Sequence, residues 1–203
     1  MKRWILLFIY TFCLIGTAGC SHLENYLEIA REKGMSGEYT AALNEWTRSQ
    51  VIYSQFETQA HISATYQSPE FNRAYLEEYS RIYHLKEEER KKREDTLRRA
   101  TADVTEFVFY AAIPEKTSND FDRRGSIWTI FLVNGKGERI DPQEVRRIEP
   151  ITPVITKFFP YVNPYYGMAY RLRFQPLTKA EANSLKLVIT GVLGKAELRF
   201  ERR

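Results

Sequence analysis

The sequence predicts an α+β protein, with an N-terminal α-helical segment followed by a small antiparallel β-sandwich. Three observations carry that prediction. Phe71, Tyr75, Tyr79 and Tyr83 stand at four-residue steps, the spacing of one helix face. From about Val104 onward, short aromatic and β-branched runs alternate apolar with polar residues, as half-buried strands do. The charge also changes sign: residues 20–103 hold 12 basic and 15 acidic side chains, residues 104–203 hold 16 and 11.

Taken in chain order, the first element is a targeting segment. Lys2 and Arg3 form a short basic region, residues 4–16 are apolar and uncharged, and Thr17, Ala18 and Gly19 precede Cys20. The apolar run is shorter than the ~20 residues of a spanning helix, and small residues follow it as they do in a cleaved signal. "TAGC" resembles a bacterial lipobox, in which a cysteine becomes the acylated first residue of a lipoprotein. That resemblance implies residues 1–19 as signal peptide and Cys20 as the lipidation site. Ser21 after it, by the sorting rule of such proteins, implies the outer membrane. Thr17 departs from the pattern, which usually has Leu there, and Gly16-Thr17-Ala18 also offers an ordinary cleavage site after Ala18. Cys13 would leave with the signal, so an acylated Cys20 leaves neither a free thiol nor a disulfide, as suits an oxidising compartment. Loss of Lys2 and Arg3 lowers the formal net charge from +4 to +2.

Residues 20–103 are expected to be a helical region. "YLEIAREKGMSGEYTAALNEWTRS" resembles the start of a tetratricopeptide-type helix pair, with Gly, an aromatic and then Ala-Leu. Only one such unit is present, and stacked repeats usually need about three. Ser68, Pro69 and Glu70 then read as an N-cap, a first helical proline and an acidic first turn. The tyrosine stripe that follows, with Ile82 and Leu85 beside it, is expected in the core. Residues 86–99, "KEEERKKREDTLRR", are expected to continue that helix as a charged spacer. Its Glu87/Lys91 and Glu94/Arg98 pairs have the favourable acid-then-base order. Because its basic residues are neutralised in place, a nucleic-acid partner is not expected.

Residues 104–203 are expected to form the sandwich. The runs "VTEFVFYAAI", "SIWTIFLVN", "MAYRLRF", "LKLVITGV" and "AELRFE" read as strands, and Asn134-Gly135 as a hairpin turn. Five or more antiparallel strands in about a hundred residues suggest a sandwich immunoglobulin-like in outline, with Trp128 as its core Trp. The paired cysteines of true immunoglobulin domains are absent.

The search for chemistry returns little. His22, His61 and His84 are the only histidines. His61 and Glu57 would share a helix face, but no further ligand spacing completes a metal site. "GMSGE" begins like a nucleophile elbow but carries Glu38 where the last Gly belongs. Neither an enzyme, a metal nor a cofactor is expected. The candidate binding surface is "KFFPYVNPYYGMAY", residues 157–170, whose Pro and Gly mark a loop. Tyr161, Tyr165 and Tyr166 there are the candidate binding residues, able to stack on a sugar or pack on a partner protein. The alternative is that the loop's Phe residues close one end of the core. The function expected is binding or assembly at the periplasmic face of the outer membrane, with the membrane itself and envelope proteins as partners. A glycan- or small-molecule-binding module is the alternative, and an unrecognised hydrolase the remote one.

Overall fold

The structure is a computed structural model that describes residues 21–54, 57–178 and 180–201. Two antiparallel sheets face each other. One has the strand order β1-β2-β3-β7-β6 and the other β5-β4-β8-β9. The strands are β1 (Thr47–Ser54), β2 (Glu57–Tyr66), β3 (Thr105–Ala112), β4 (Trp128–Val133), β5 (Arg139–Ile140), β6 (Glu144–Arg147), β7 (Met168–Phe174), β8 (Ser184–Gly191) and β9 (Gly194–Glu201). The helices are α1 (Ser21–Glu32), α2 (Gly37–Trp46), α3 (Pro69–Tyr83), α4 (Glu87–Asp103) and α5 (Pro153–Phe158).

Alternation places the inner layer. Phe107, Phe109, Tyr170, Leu172 and Phe174 on the large sheet meet Leu185, Leu187, Ile189, Ala196, Leu198 and Phe200 on the small one, all buried in one continuous core. The register of β3 with β7 puts Phe107 opposite Leu172 and Phe109 opposite Tyr170, so the inward residues share a face. Trp128 is buried as the sequence indicates, stacked on Phe121 at 5.1 Å and donating from Nε1 to the Ser118 carbonyl.

The helical reading of residues 20–103 is corrected at 47–66. That stretch is the β1–β2 pair, and β2 hydrogen-bonds to β3 across the expected boundary at 103/104. Helices and strands are therefore interleaved. The physical reason is that the outer face of these strands is polar. Thr47 and Thr65 share a hydrogen bond at 2.8 Å, as do Ser49 and Ser63. Hydroxyls paired across strands leave no continuous apolar stripe for a periodicity to detect. Likewise, His61 and Glu57 lie on β2 instead of a helix.

α3 follows its sequence closely. Ser68 caps it by accepting from the Phe71 N–H, and Pro69 opens it. Most of its stripe packs against α5 and the residue after it, with Tyr75 4.5 Å from Phe158 and Phe71 6.1 Å from Phe159. Tyr83 at its end is exposed and not in the core as expected, because the chain turns away at His84. The charged segment does not continue it. His84 takes a left-handed conformation at φ 49°, its N–H donates to the Ser80 carbonyl, and the chain reverses into α4. α4 lies back along α3, with Arg90 2.6 Å from Glu77 and the Arg93 guanidinium 4.4 Å over the Tyr79 ring.

One buried acid ties the helices together. Glu78 is only 2% exposed; it accepts from the Ser36 N–H at 3.1 Å and from Arg81, whose guanidinium also donates to the Gly34 carbonyl. Burial alone would raise this carboxyl, but the hydrogen bonds from Arg81 and Ser36 hold it below the usual carboxylate range.

Candidate functional site

Three connections gather at one end of the sandwich. The end of β3 pairs with the start of β7, Ala111 opposite Met168, and the start of β4 pairs with the end of β8, Trp128 opposite Gly191. The β3–β4, β6–β7 and β8–β9 connections therefore all lie on this side, together with the end of β1. Of the six exposed large apolar side chains among the described residues, five stand here: Tyr53, Ile127, Tyr165, Tyr166 and Val192. Tyr83 is the sixth. Exposed apolar residues standing singly are ordinary, so it is their collection at one end that singles this end out as the candidate surface.

The loop that holds the two tyrosines is built from its own backbone. Asn163 Oδ1 accepts from the Tyr165 N–H at 3.0 Å, and the Asn163 carbonyl accepts from Gly167 N–H and from the Tyr110 hydroxyl. Gly167 presses on β3 so closely that a methyl group there would overlap the Ala111 carbonyl and come within 2.6 Å of the Tyr110 phenol. Glycine is thus required where the loop turns, and the turn pushes its neighbours outward. Tyr165 is 83% exposed and Tyr166 73%.

Beneath them lies a cleft of about 330 Å³ between the β3–β4 and β6–β7 connections. Ile113, Ile148, Ile151 and Met168 supply apolar wall, and Lys116, Asn119, Arg147 and Glu149 supply polar groups. Arg147 is the anchor of the polar side. Its Nη1 is 3.3 Å from Glu149 Oε1, its Nη2 is 3.3 Å from Asp122 Oδ1, and its Nε is buried without a hydrogen-bond partner. The guanidinium lies 5.8 Å from the Tyr170 ring centroid. Burial pushes the Tyr170 phenol up to about 12 despite the opposing pull of Arg147, so it stays neutral and donates to Asn119. Asn119 in turn donates to the Ala111 carbonyl at 2.8 Å. The polar floor is thereby fixed by a chain of hydrogen bonds to β3. Such a cleft can offer both donors and acceptors to a polar ligand, with aromatic faces at its rim.

Tyr165 and Tyr166 occupy the place expected of binding residues, on the surface and beside the cleft. Tyr161 does not join them. It is half-buried under α1 in edge contact with Tyr26, its hydroxyl lies 2.7 Å from Thr65 Oγ1, and it donates to the Val108 carbonyl. Burial drives its phenol far above the ordinary value. Tyr161 is therefore a strut between helix and sheet, because the backbone passes under α1 before the loop emerges. Phe158 and Phe159 pack beneath α3 and do not close an end of the sandwich. Arg147 and Asn119 were not legible as site residues, being 18 or more positions from Tyr165 and Tyr166 and without any local motif.

A second hollow of about 460 Å³ separates α3 from α4, walled mainly by Tyr75, Leu76, Tyr79, Leu85 and Leu97. Among the described residues no three of His, Cys, Asp and Glu gather as metal ligands, and no helix is long and apolar enough to cross a membrane. Cys20, the segment 1–19 and the side chain of His22 lie outside the described residues. No protein-family model matches the chain, and comparison with curated proteins finds no match.

Proposed function

We propose that the protein is a lipid-anchored cell-envelope protein that binds its partner through the loop end of the sandwich, at the periplasmic face of the outer membrane. The observation that carries the binding part is the exposure of Tyr165 and Tyr166 at the rim of the Arg147 cleft. Tyrosine supplies a large contact face at low entropic cost, and loops on a rigid sheet hold it in place. The anchoring part rests on the lipobox-like "TAGC" and Cys20. Acylation by more than one chain would fix the protein stably to a bilayer. The sandwich itself we read as immunoglobulin-like. From β2 onward the order β2-β3-β7-β6 against β5-β4-β8-β9 corresponds to strands A-B-E-D against C′-C-F-G.

A second reading, a glycan- or small-molecule-binding module, is favoured by the cleft itself, where Arg147, Glu149 and Asn119 present donors and acceptors beside the two rings. Neither reading invokes a catalytic step, a metal or a cofactor, and neither involves nucleic acid.

Two measurements test the proposal. Palmitate labelling of the wild type beside Cys20→Ala, with membrane fractionation, tests the anchor. Label on the wild type alone in the outer-membrane fraction is expected, and unlabelled, soluble wild type overturns it. Co-sedimentation with peptidoglycan and crosslinking to envelope proteins, each with Tyr165→Ala/Tyr166→Ala, tests the binding end. Loss of peptidoglycan binding with protein crosslinks intact selects the glycan reading, and the converse selects a protein partner. Unchanged binding in both refutes the site.

A further inference from the structure

The apolar tips on the other side of the same end ask for a different explanation from the cleft. β8 and β9 are joined by the two residues Val192 and Leu193, with Gly191 paired to Gly194. Two-residue hairpin turns ordinarily hold Asn, Asp or Gly. Here the turn carries Val192, 83% exposed, and the end of β1 beside it carries Tyr53, 65% exposed. The tip is held from both sides. A Cβ on Gly191 would come 2.5 Å from the Ile127 carbonyl, and one on Gly194 would come 2.5 Å from Ile52 Cγ2. Gly194 also has φ +131°, a conformation that side chains rarely adopt. Two glycines therefore let the hairpin pass close to Ile127 on one side and to Ile52 of β1 on the other. An exposed Val192 at a turn whose chemistry favours polar residues breaks a local rule without any packing return of its own.

We propose that Tyr53, Ile127 and Val192 dock the loop end onto the surface of a phospholipid bilayer. The three residues stand on separate segments, β1, the residue before β4 and the β8–β9 turn, so each would enter between head groups on its own. Val192 and Ile127 would enter the acyl boundary, and Tyr53 would sit at head-group depth with its hydroxyl wet. Charge around the tips is arranged to match. In the β3–β4 connection two carboxylates are engaged within the protein, Asp120 accepting from Ser126 at 2.8 Å and Asp122 pairing with Arg147, while Glu115 is exposed and accepts from Thr117. Arg123 and Arg124, beside Ile127 in sequence, are exposed. They would meet anionic lipid phosphates. The inference goes beyond the proposed cleft function, and rests on the anchored reading only for the delivery of the domain to a membrane.

The test uses the full chain reconstituted into vesicles of phosphatidylethanolamine and radiolabelled phosphatidylglycerol. A benzophenone amino acid is placed singly at Val192, Tyr53 or, as a control, exposed Lys136 at the opposite end of the sandwich. Flotation of the chain with the vesicles is read separately. Lipid adducts from Val192 and Tyr53 are expected, with only background from Lys136. Arg123→Glu/Arg124→Glu, checked for an unchanged thermal transition, should bring the Val192 adduct down toward that background. A chain that floats without a lipid adduct at Val192 overturns the docking and leaves the anchor standing. A chain that does not float overturns both. An adduct between two copies, or with another protein when the probe is used in isolated envelopes, assigns the tips to a protein interface and also overturns the inference.

Discussion

The two ends of the sandwich carry similar side chains under opposite conditions. At the closed end Tyr66 stacks on Phe107 at 5.0 Å, Phe107 meets Phe200 at 5.3 Å and Phe174 at 5.9 Å, and Trp46 covers Tyr66 at 5.6 Å. All five rings are buried. At the loop end Tyr53, Tyr165 and Tyr166 stand in solvent, with Val192 and Ile127 beside them. At the closed end α2 runs directly into β1, and the β2–β3 connection is filled by the helices α3 and α4. The loop end has two long connections, β3–β4 and β6–β7, and two tight hairpins, β1–β2 and β8–β9. Aromatic content therefore does not by itself separate core from contact surface; the connection that bears the ring does.

That contrast can be broken most severely from the closed end. Phe107→Ala removes a fully buried ring at the centre of the cluster and should cost about 3–5 kcal/mol. A urea titration should show a lower midpoint with a similar slope. A loss under about 1 kcal/mol would mean that the cluster is not the packed end described.

The helical layer gives the next effect. Glu78→Gln keeps the shape but loses the charged acceptor for Arg81 and Ser36, at about 1.5–3 kcal/mol. Its sign with pH follows from the depressed carboxyl. The folded-state value lies below the unfolded one, so the stabilisation is present above the unfolded carboxylate range and is lost as pH falls through the folded value. The gap between wild type and Glu78→Gln should therefore narrow on acidification, as chemical denaturation at a series of pH values would show.

Gly167→Ala probes the join between the two conditions. The methyl group has no room against Ala111 and Tyr110, so the loop must shift, at about 1–3 kcal/mol. Binding at the loop end should weaken with it. Tyr165→Ala and Tyr166→Ala should move stability by less than about 0.5 kcal/mol, because both rings are exposed. Calorimetric scans of these variants beside Phe107→Ala would place the two ends at opposite extremes of one scale.

Much of this fold was legible in the residues, and the misses share a cause. The runs at 168–174 and 196–201 alternate because one face meets the other sheet. Those at 104–113, 126–134 and 185–192 are marked by β-branched and aromatic residues, and each of the five runs contains a strand. β1 and β2 escaped because their outer face is hydroxyl-lined and satisfied across strands. The reversal at His84 carries neither Gly nor Pro, so an uninterrupted helix was the natural expectation. At the site, Pro160, Pro164 and Gly167 announced a loop, and Tyr165 and Tyr166 followed from it. The burial of Tyr161 did not, since it depends on where α1 and Thr65 lie. Arg147 has no sequence signal at all; only the pairing of β6 with β7 brings it under the tyrosines.

The most direct test of the loop end as the binding end is photocrosslinking in intact cells. A benzophenone amino acid would be placed at Tyr166, and separately at Lys136 at the other end of the sandwich. A discrete adduct from Tyr166, protein or glycan, with none from Lys136, is the expected result. An adduct from Lys136 with none from Tyr166 would contradict it.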